Sequence, residues 1–228
     1  MPEIEPSSPT AQRYSSLAKA YIELFGHVEQ AESEDQELIA RWAQRIQGPV
    51  LDAGCGPGQW THTISSAERP AFGVDMVPEF VGHAAVNYPD CTFLQADMLD
   101  LPFPDNSFSG LLSWYSIIHT PPVQLPEVMD SFARVVKPGG QLLLGFFAAG
   151  KVHPFEHKVA PAWYWPVREL SVLVEDAGFS IVDHGTRDRT GARRHGQIKA
   201  QRQKREGEVI KRLRPKANAL GLKSWGVA

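Results

Sequence analysis

The residues best suited to chemistry gather where an apolar run gives way to a glycine-rich turn, Val50-Leu51-Asp52-Ala53-Gly54-Cys55-Gly56-Pro57-Gly58. Glycines at this density allow a tight turn and let a ligand approach the backbone closely. A second apolar run ends in Asp75, seventeen residues past Gly58. That is near the offset of about 20 residues at which a carboxylate grips the hydroxyls of a ribose. A third run ends in Leu94-Gln95-Ala96-Asp97-Met98. There Asp97 can accept from an exocyclic adenine amine and the Met98 N–H can donate to the ring. Met76 and Met98 can sandwich the adenine faces with soft apolar contacts. A turn or helix cap accounts for Asp97 as well, and core packing for the two methionines.

These residues point to a nucleoside ligand, and the loop narrows its kind. A pyrophosphate wants backbone N–H donors, yet Pro57 removes one. The spacing is Gly-x-Gly-x-Gly, and Asp52 sets a carboxylate two residues before the first glycine. A ligand with an ammonium group and no phosphates fits better. S-adenosylmethionine, with its adenosine, sulfonium and amino-acid end, is such a ligand. Asp52, Gly54, Gly56 and Gly58 are expected at the amino-acid end, Asp75 at the ribose, and Met76, Asp97 and Met98 at the adenine.

Candidates for catalysis follow in Ser113-Trp114-Tyr115-Ser116-Ile117-Ile118-His119. His119 can act as a base, since the ordinary histidine pKa of about 6.5 suits proton transfer; the alternative is a local cap before Pro121-Pro122. Tyr115 either lines an acceptor pocket, contacts the methionine end, or packs at the surface. His153 and His157 have ligand spacing, but Pro154 stands between them and no cluster of carboxylates or cysteines joins them, so no metal is expected. Cys55 reads as a small packing residue.

The elements that must position these groups follow from periodicity. Leu17, Tyr21, Leu24 and Phe25 recur at helical spacing over 10–25, with Tyr14 one turn earlier. Ser33 and Gln36 form a capping-box pattern that opens a second helix carrying Leu38, Ile39, Trp42 and Ile46. Beyond Pro49, strands are expected at 50–53, 71–74, 92–95, 110–114, 142–147, 179–183 and 192–200. Helices are expected at 59–67, 79–87, 125–136 and 168–177. Runs this apolar suit strands covered on both faces, and the alternation predicts an α/β, doubly wound, Rossmann-like sheet, mostly parallel, with helices on both faces.

Five segments in this order carry a resemblance: 52–58, 73–75, 96–98, 101–108 (Leu-Pro-Phe-Pro-Asp-Asn-Ser-Phe) and 134–140 (Arg-Val-Val-Lys-Pro-Gly-Gly). The chain resembles the class I S-adenosylmethionine-dependent methyltransferases of the small-molecule type, and is similar to the ubiquinone/menaquinone methyltransferase group. The resemblance implies an antiparallel last strand. It implies that the end of the fourth strand, with Ser113, faces the methyl group. It also implies an N-terminal lid helix with a tyrosine, Tyr21 or Tyr14, near the amino-acid end, and an acceptor pocket built from 153–166. The expected reaction is methyl transfer to a small organic acceptor at oxygen, nitrogen or carbon, with His119 and Tyr115 as catalytic candidates. Two alternatives stand beside it: a dinucleotide-binding oxidoreductase, and a catalytically silent cofactor-binding protein with an RNA-binding tail. The expected division is a helical lid over 1–47, a cofactor-binding domain over 48–201 and a basic extension over 202–228.

Composition bounds the partners. Of 228 residues 43% are hydrophobic and 21% charged, ordinary for a globular protein and excluding collagen-like, disordered and disulfide-scaffold classes. No apolar run approaches the ~18 residues of a membrane span. The start, Met1-Pro-Glu-Ile-Glu-Pro, lacks the pattern of a secretory signal, and two cysteines make no framework, so a cytoplasmic setting is expected. Residues 187–228 hold 13 Lys/Arg against 3 Asp/Glu, whereas 1–186 hold 10 against 23. The basic tail reads first as a solvated extension that can lie against the acidic body. Nucleic acid is the lesser alternative, because no aromatic platform is interleaved. Monomer and homodimer both remain open.

Overall fold

The computed structural model describes residues 8–188 and 190–204. From residue 205 on, the expected basic extension lies outside the described residues. The chain forms α1 (Pro9–Phe25), α2 (Ser33–Ala43), β1 (Val50–Ala53), α3 (Gln59–Thr63), β2 (Ala71–Asp75), α4 (Pro78–Asn87), β3 (Thr92–Gln95), β4 (Phe108–Trp114), α5 (Leu125–Val135) and β5 (Val136–Phe147). Then come β6 (His153–Phe155), β7 (Ala162–Tyr164), α6 (Val167–Asp176), β8 (Phe179–Arg187) and β9 (His195–Arg202). Short 3-10 turns lie at Val28–Gln30 and Ile117–His119.

Seven strands form one sheet in the order β3-β2-β1-β4-β5-β9-β8. β1 pairs in parallel with both β2 and β4, and β9 runs antiparallel to both β5 and β8. Side chains alternate between faces, and each face has its own cover. Leu51, Ala53, Leu111, Leu142 and Leu144 pack under α5 and α6. Val50, Leu112, Trp114 and Leu143 pack under α2 and α3. The doubly wound, mostly parallel sheet and its antiparallel last strand are as expected. No described helix is long and apolar enough to cross a membrane.

Three local expectations are corrected. The first helix starts before position 10: Ser8 caps α1, its Oγ accepting from the Ala11 N–H at 3.1 Å, and Pro9 occupies the first turn. Ser33 makes no capping box; Glu32 is the cap of α2, and the reciprocal pair forms instead between His27 and Gln30. α3 ends at Thr63, not 67, because Arg69 reaches back to take the Ile64 carbonyl with Nε and the Ala43 carbonyl with Nη1. Within the described residues α1 packs on α4 through Ala11, Ala18, Val77 and Phe80, while α2 lies in the core under the sheet.

Candidate functional site

The order β2-β1-β4 places a topological switch at β1, since the chain leaves β1 toward one side and returns to β4 on the other. Ligands of open α/β sheets bind in the crevice outside the carboxyl ends of the strands at such a point. A cavity of about 470 Å³ lies there, and α1 covers it. Gly54 and Gly56 after β1, Asp75 and Met76 at the end of β2, Asp97 and Met98 after β3, and Tyr115 and Ser116 after β4 all line it. Tyr14 and Tyr21 reach it from α1, and His119 from the Ile117–His119 turn.

Asp75 ties the site together. Its Oδ2 accepts the Gly56 N–H and its Oδ1 the Val77 N–H, each at 2.9 Å. Burial pushes its carboxyl above the usual range, against the pull of those N–H groups. Each oxygen keeps acceptor capacity after one bond, which suits a pair of ribose hydroxyls. The Asp97 Oδ1 accepts the Leu99 N–H at 2.9 Å, fixing the turn and leaving the other oxygen to accept an amine. Gly56 sits at φ +52° and a Cβ there would meet open space within 4 Å, so its backbone borders the cavity. Gly54, at φ +78°, admits no side chain: its Cβ would lie 2.2 Å from the Ser116 Cβ. The lining thus fits an adenosyl group: carboxylates for hydroxyls and amine, methionines and apolar walls for the ring, and, among the described residues, no Lys or Arg lining the cavity.

Three of the residues expected to hold the cofactor stand away from the cavity. Asp52 is 1% exposed and bonds to the Thr61 hydroxyl at 2.7 Å, tying β1 to α3. Burial pushes its carboxyl up to about 7, with the Asp75 charge adding to the shift. Asp52 is therefore not a carboxylate that faces the ligand. Gly58, at φ +91°, is the cap of α3, and a Cβ there would strike the Ala84 Cβ at 2.6 Å; its role is close packing. Ser113 is fully buried and bonds to the Ser116 Oγ at 2.5 Å. Ser116, which carries no sequence signal of its own, is the serine at the cavity, and its hydroxyl donates to the Ala53 carbonyl at 2.7 Å.

The two catalytic candidates differ. The Pro161 carbonyl, 2.9 Å from His119 Nδ1, can only accept, so Nδ1 carries the proton. His119 Nε2 then presents its lone pair to the Tyr14 hydroxyl at 2.8 Å. Burial pulls the His119 pKa down, which keeps the imidazole neutral. Tyr115 offers its ring to the cavity, but its hydroxyl is bonded to His195 Nδ1, and burial pushes its pKa up. It is a wall, not a free acid or base. Burial likewise pushes Tyr21 up to about 12, so it stays protonated. The segment 153–166 folds as the β6–β7 hairpin, with Phe155 and Tyr164 rings 4.2 Å apart, and the loop between its strands supplies the Pro161 carbonyl to His119. Among the described residues, no group of three or more His, Cys, Asp or Glu is placed to hold a metal.

Residues 50–140 match the family described as a methyltransferase domain. A probable S-adenosylmethionine-dependent methyltransferase of Mycolicibacterium smegmatis is 32% identical over 155 residues, 64% of this chain and 58% of that protein. The [4+2]-cyclase SpnF superposes with a TM-score of 0.74 at 17% identity, covering 87% of this chain and 98% of its own. The 1,6-didemethyltoxoflavin-N1-methyltransferase of Burkholderia thailandensis, with 1,6-didemethyltoxoflavin and S-adenosylhomocysteine bound, superposes at 0.69 and 19% identity, covering 90% and 93%. At such identities the superpositions speak for the fold. The chain spans about half to two thirds of the length of the curated relatives it matches. Over residues 50–140 the chain carries a match to a methyltransferase domain, and over 155 residues it is similar to a probable S-adenosylmethionine-dependent methyltransferase.

Proposed function

We propose that this protein methylates a small organic acceptor at oxygen, nitrogen or carbon, with S-adenosylmethionine as the methyl donor. The observation that carries the reading is the Asp75 carboxylate, locked by two N–H bonds from Gly56 and Val77 at the wall of a cavity bordered by Asp97. When bound, S-adenosylmethionine supplies a methyl group already activated by a sulfonium. The chain then has to align, enclose and, for an acceptor that must lose a proton, accept that proton.

Asp75 would hold the ribose, Asp97 the adenine amine, and Gly54 and Gly56 the amino-acid end, with Tyr21 beside them. α1 excludes water from above. His119 Nε2 is the proton acceptor: an acceptor hydroxyl or N–H displacing the Tyr14 hydroxyl would donate to the same lone pair. α1 is the lid of this reading and residues 48–201 its cofactor-binding unit. A cytoplasmic setting goes with two free cysteines, Cys55 and Cys91. A small molecule, and not a nucleic acid, is the proposed partner, taken by a monomer or a homodimer.

Calorimetric titration with S-adenosylhomocysteine tests the reading. The full chain is expected to bind it with a Kd below about 100 µM, and Asp75→Ala to weaken it at least about 30-fold, the loss of charge-assisted bonds worth about 2 kcal/mol. Undetectable binding by the parent chain would refute the reading, as would equal binding by Asp75→Ala.

A further inference from the structure

Tyr115 is a tyrosine in the left-handed backbone region, at φ +56°. A bulky residue there is strained, and such strain persists only where the surroundings over-determine it. The turn has a consequence: it delivers Ser116 beneath the glycine loop, where the Ser116 hydroxyl reaches the Ala53 carbonyl and its Cβ fills the space a Gly54 side chain would need. The Tyr115 N–H is held by the Gly145 carbonyl at 3.0 Å, and its ring by Trp114 and Phe147.

Its hydroxyl leads away from the cavity. It bonds to His195 Nδ1 at the start of β9. Arg187, the cross-strand neighbour of His195 at the end of β8, brings Nη2 to 3.5 Å from the same nitrogen. That Nη2 donates to Asp35 Oδ1 on α2 at 2.6 Å, and the Asp35 side chain is 8% exposed. Three residues that do not line the cavity, Asp35, Arg187 and His195, thus form a relay that ends at the hydroxyl of one that does.

We propose that Asp35, Arg187 and His195 are positioning residues of the methyl-transfer site, acting through Tyr115 to set the wall and the Ser116–Gly54 contact of the cofactor cavity. The inference rests on the function proposed above. The ion pair is half-buried, its Asp35 end sealed, and a hydrogen-bonded pair of this kind holds geometry because the buried partner is costly to leave unpaired. Here it anchors the outer end of a strained turn from the opposite side of the sheet edge. Both of these Arg187 contacts, to Asp35 Oδ1 and His195 Nδ1, run through Nη2, and its Nε is buried without a partner among the described residues. The site is therefore not the two-pronged kind at which lysine fails to replace arginine.

The test has two arms. In the first, S-adenosylhomocysteine is titrated into Asp35→Asn, Arg187→Met, Arg187→Lys, Tyr115→Phe and the Asp35→Asn/Tyr115→Phe pair. Asp35→Asn, Arg187→Met and Tyr115→Phe are each expected to raise the Kd about 5- to 10-fold. The double variant should be no weaker than its weaker parent, and Arg187→Lys should recover most of the affinity. Additive losses in the pair, or affinity unchanged in Asp35→Asn, would overturn the proposal. The second arm needs no cofactor. In chain labelled with ¹⁵N-histidine, with His195 identified by His195→Gln, the Nδ1 resonance should move in both Tyr115→Phe and Asp35→Asn. A His195 signal that ignores Asp35→Asn breaks the connection. If the parent chain binds no S-adenosylhomocysteine, the proposed function falls, while the His195 signal still decides whether the three residues act on Tyr115.

Discussion

Two carboxylates of neighbouring strands, Asp52 in β1 and Asp75 at the end of β2, have distinct roles, and pH separates them. Asp75 faces the cavity, whereas Asp52 is sealed beneath it on Thr61. Asp52 has a folded pKa pushed up to about 7 from 3.8, mainly by burial. The folded state therefore binds more protons than the unfolded state across that interval, and stability from this group falls as pH rises. It is fully present below about pH 4 and lost as pH passes 7. Asp52→Asn keeps an acceptor for the Thr61 hydroxyl and removes the buried charge. The variant's advantage over the parent is expected to grow by on the order of 3 kcal/mol from pH 5 to pH 8, since about two pH units separate pH 5 from the folded pKa of about 7 and each is worth about 1.4 kcal/mol. Chemical denaturation from pH 5 to 8.5 reads the difference directly. Parallel curves for the two proteins would mean that Asp52 ionises as freely when folded as when unfolded.

α1 is fastened at three places: the Ser15 hydroxyl donates to the Glu79 carboxylate on α4, Ala11 and Ala18 pack on Val77 and Phe80, and the Tyr14 hydroxyl donates to His119. Only the last bond spans the cavity mouth. Removing it in Tyr14→Phe forfeits a net hydrogen bond of about 0.5–1.5 kcal/mol. S-adenosylhomocysteine should then dissociate about 2- to 10-fold faster, and amides of 9–25 should exchange faster in the bound state. Unchanged exchange would place the closure of α1 in its apolar contacts alone. Elements like this one show what a chain discloses about itself. β1 begins and ends where its buried run does, and the turn after it carries cavity residues, because a strand covered on both faces is largely apolar and a loop that a ligand approaches closely is glycine-rich. α3 was misjudged because its stop is imposed by Arg69, six residues past its end. Asp52, Gly58 and Ser113 were placed at the ligand because a motif reveals which loop binds but not which way each side chain turns. Ser116, and the chain from Asp35 to Tyr115, leave no local pattern at all: they arise from contacts across 63 to 152 positions.

The sheet as a whole closes from its far end. β8 is attached to the other strands only through β9, and β9, last of the described strands, enters between β5 and β8 with partners on both sides. Neither neighbour can be completed before residues 195–202 arrive, so the last contacts made are among the longest in sequence, and such pairings are slow to form. Ile198 sits at the centre of this insertion, paired with Leu144 on one side and His184 on the other, and is fully buried in the larger core beside Leu142, Phe146 and Phe179. Ile198→Ala removes apolar volume where two strands and a helix layer meet. The expected cost is about 2–5 kcal/mol, read as a melting temperature lowered by roughly 5–15 °C in a chain of this size. A chain ended at residue 194 should lose more than that increment, because β5 is left with an open edge and β8 with no neighbour. It should show no cooperative transition and should aggregate through the bared strand. Cooperative melting of that shortened chain would mean that the first five strands fold as a unit of their own and that β9 is an addition to it, not its closure.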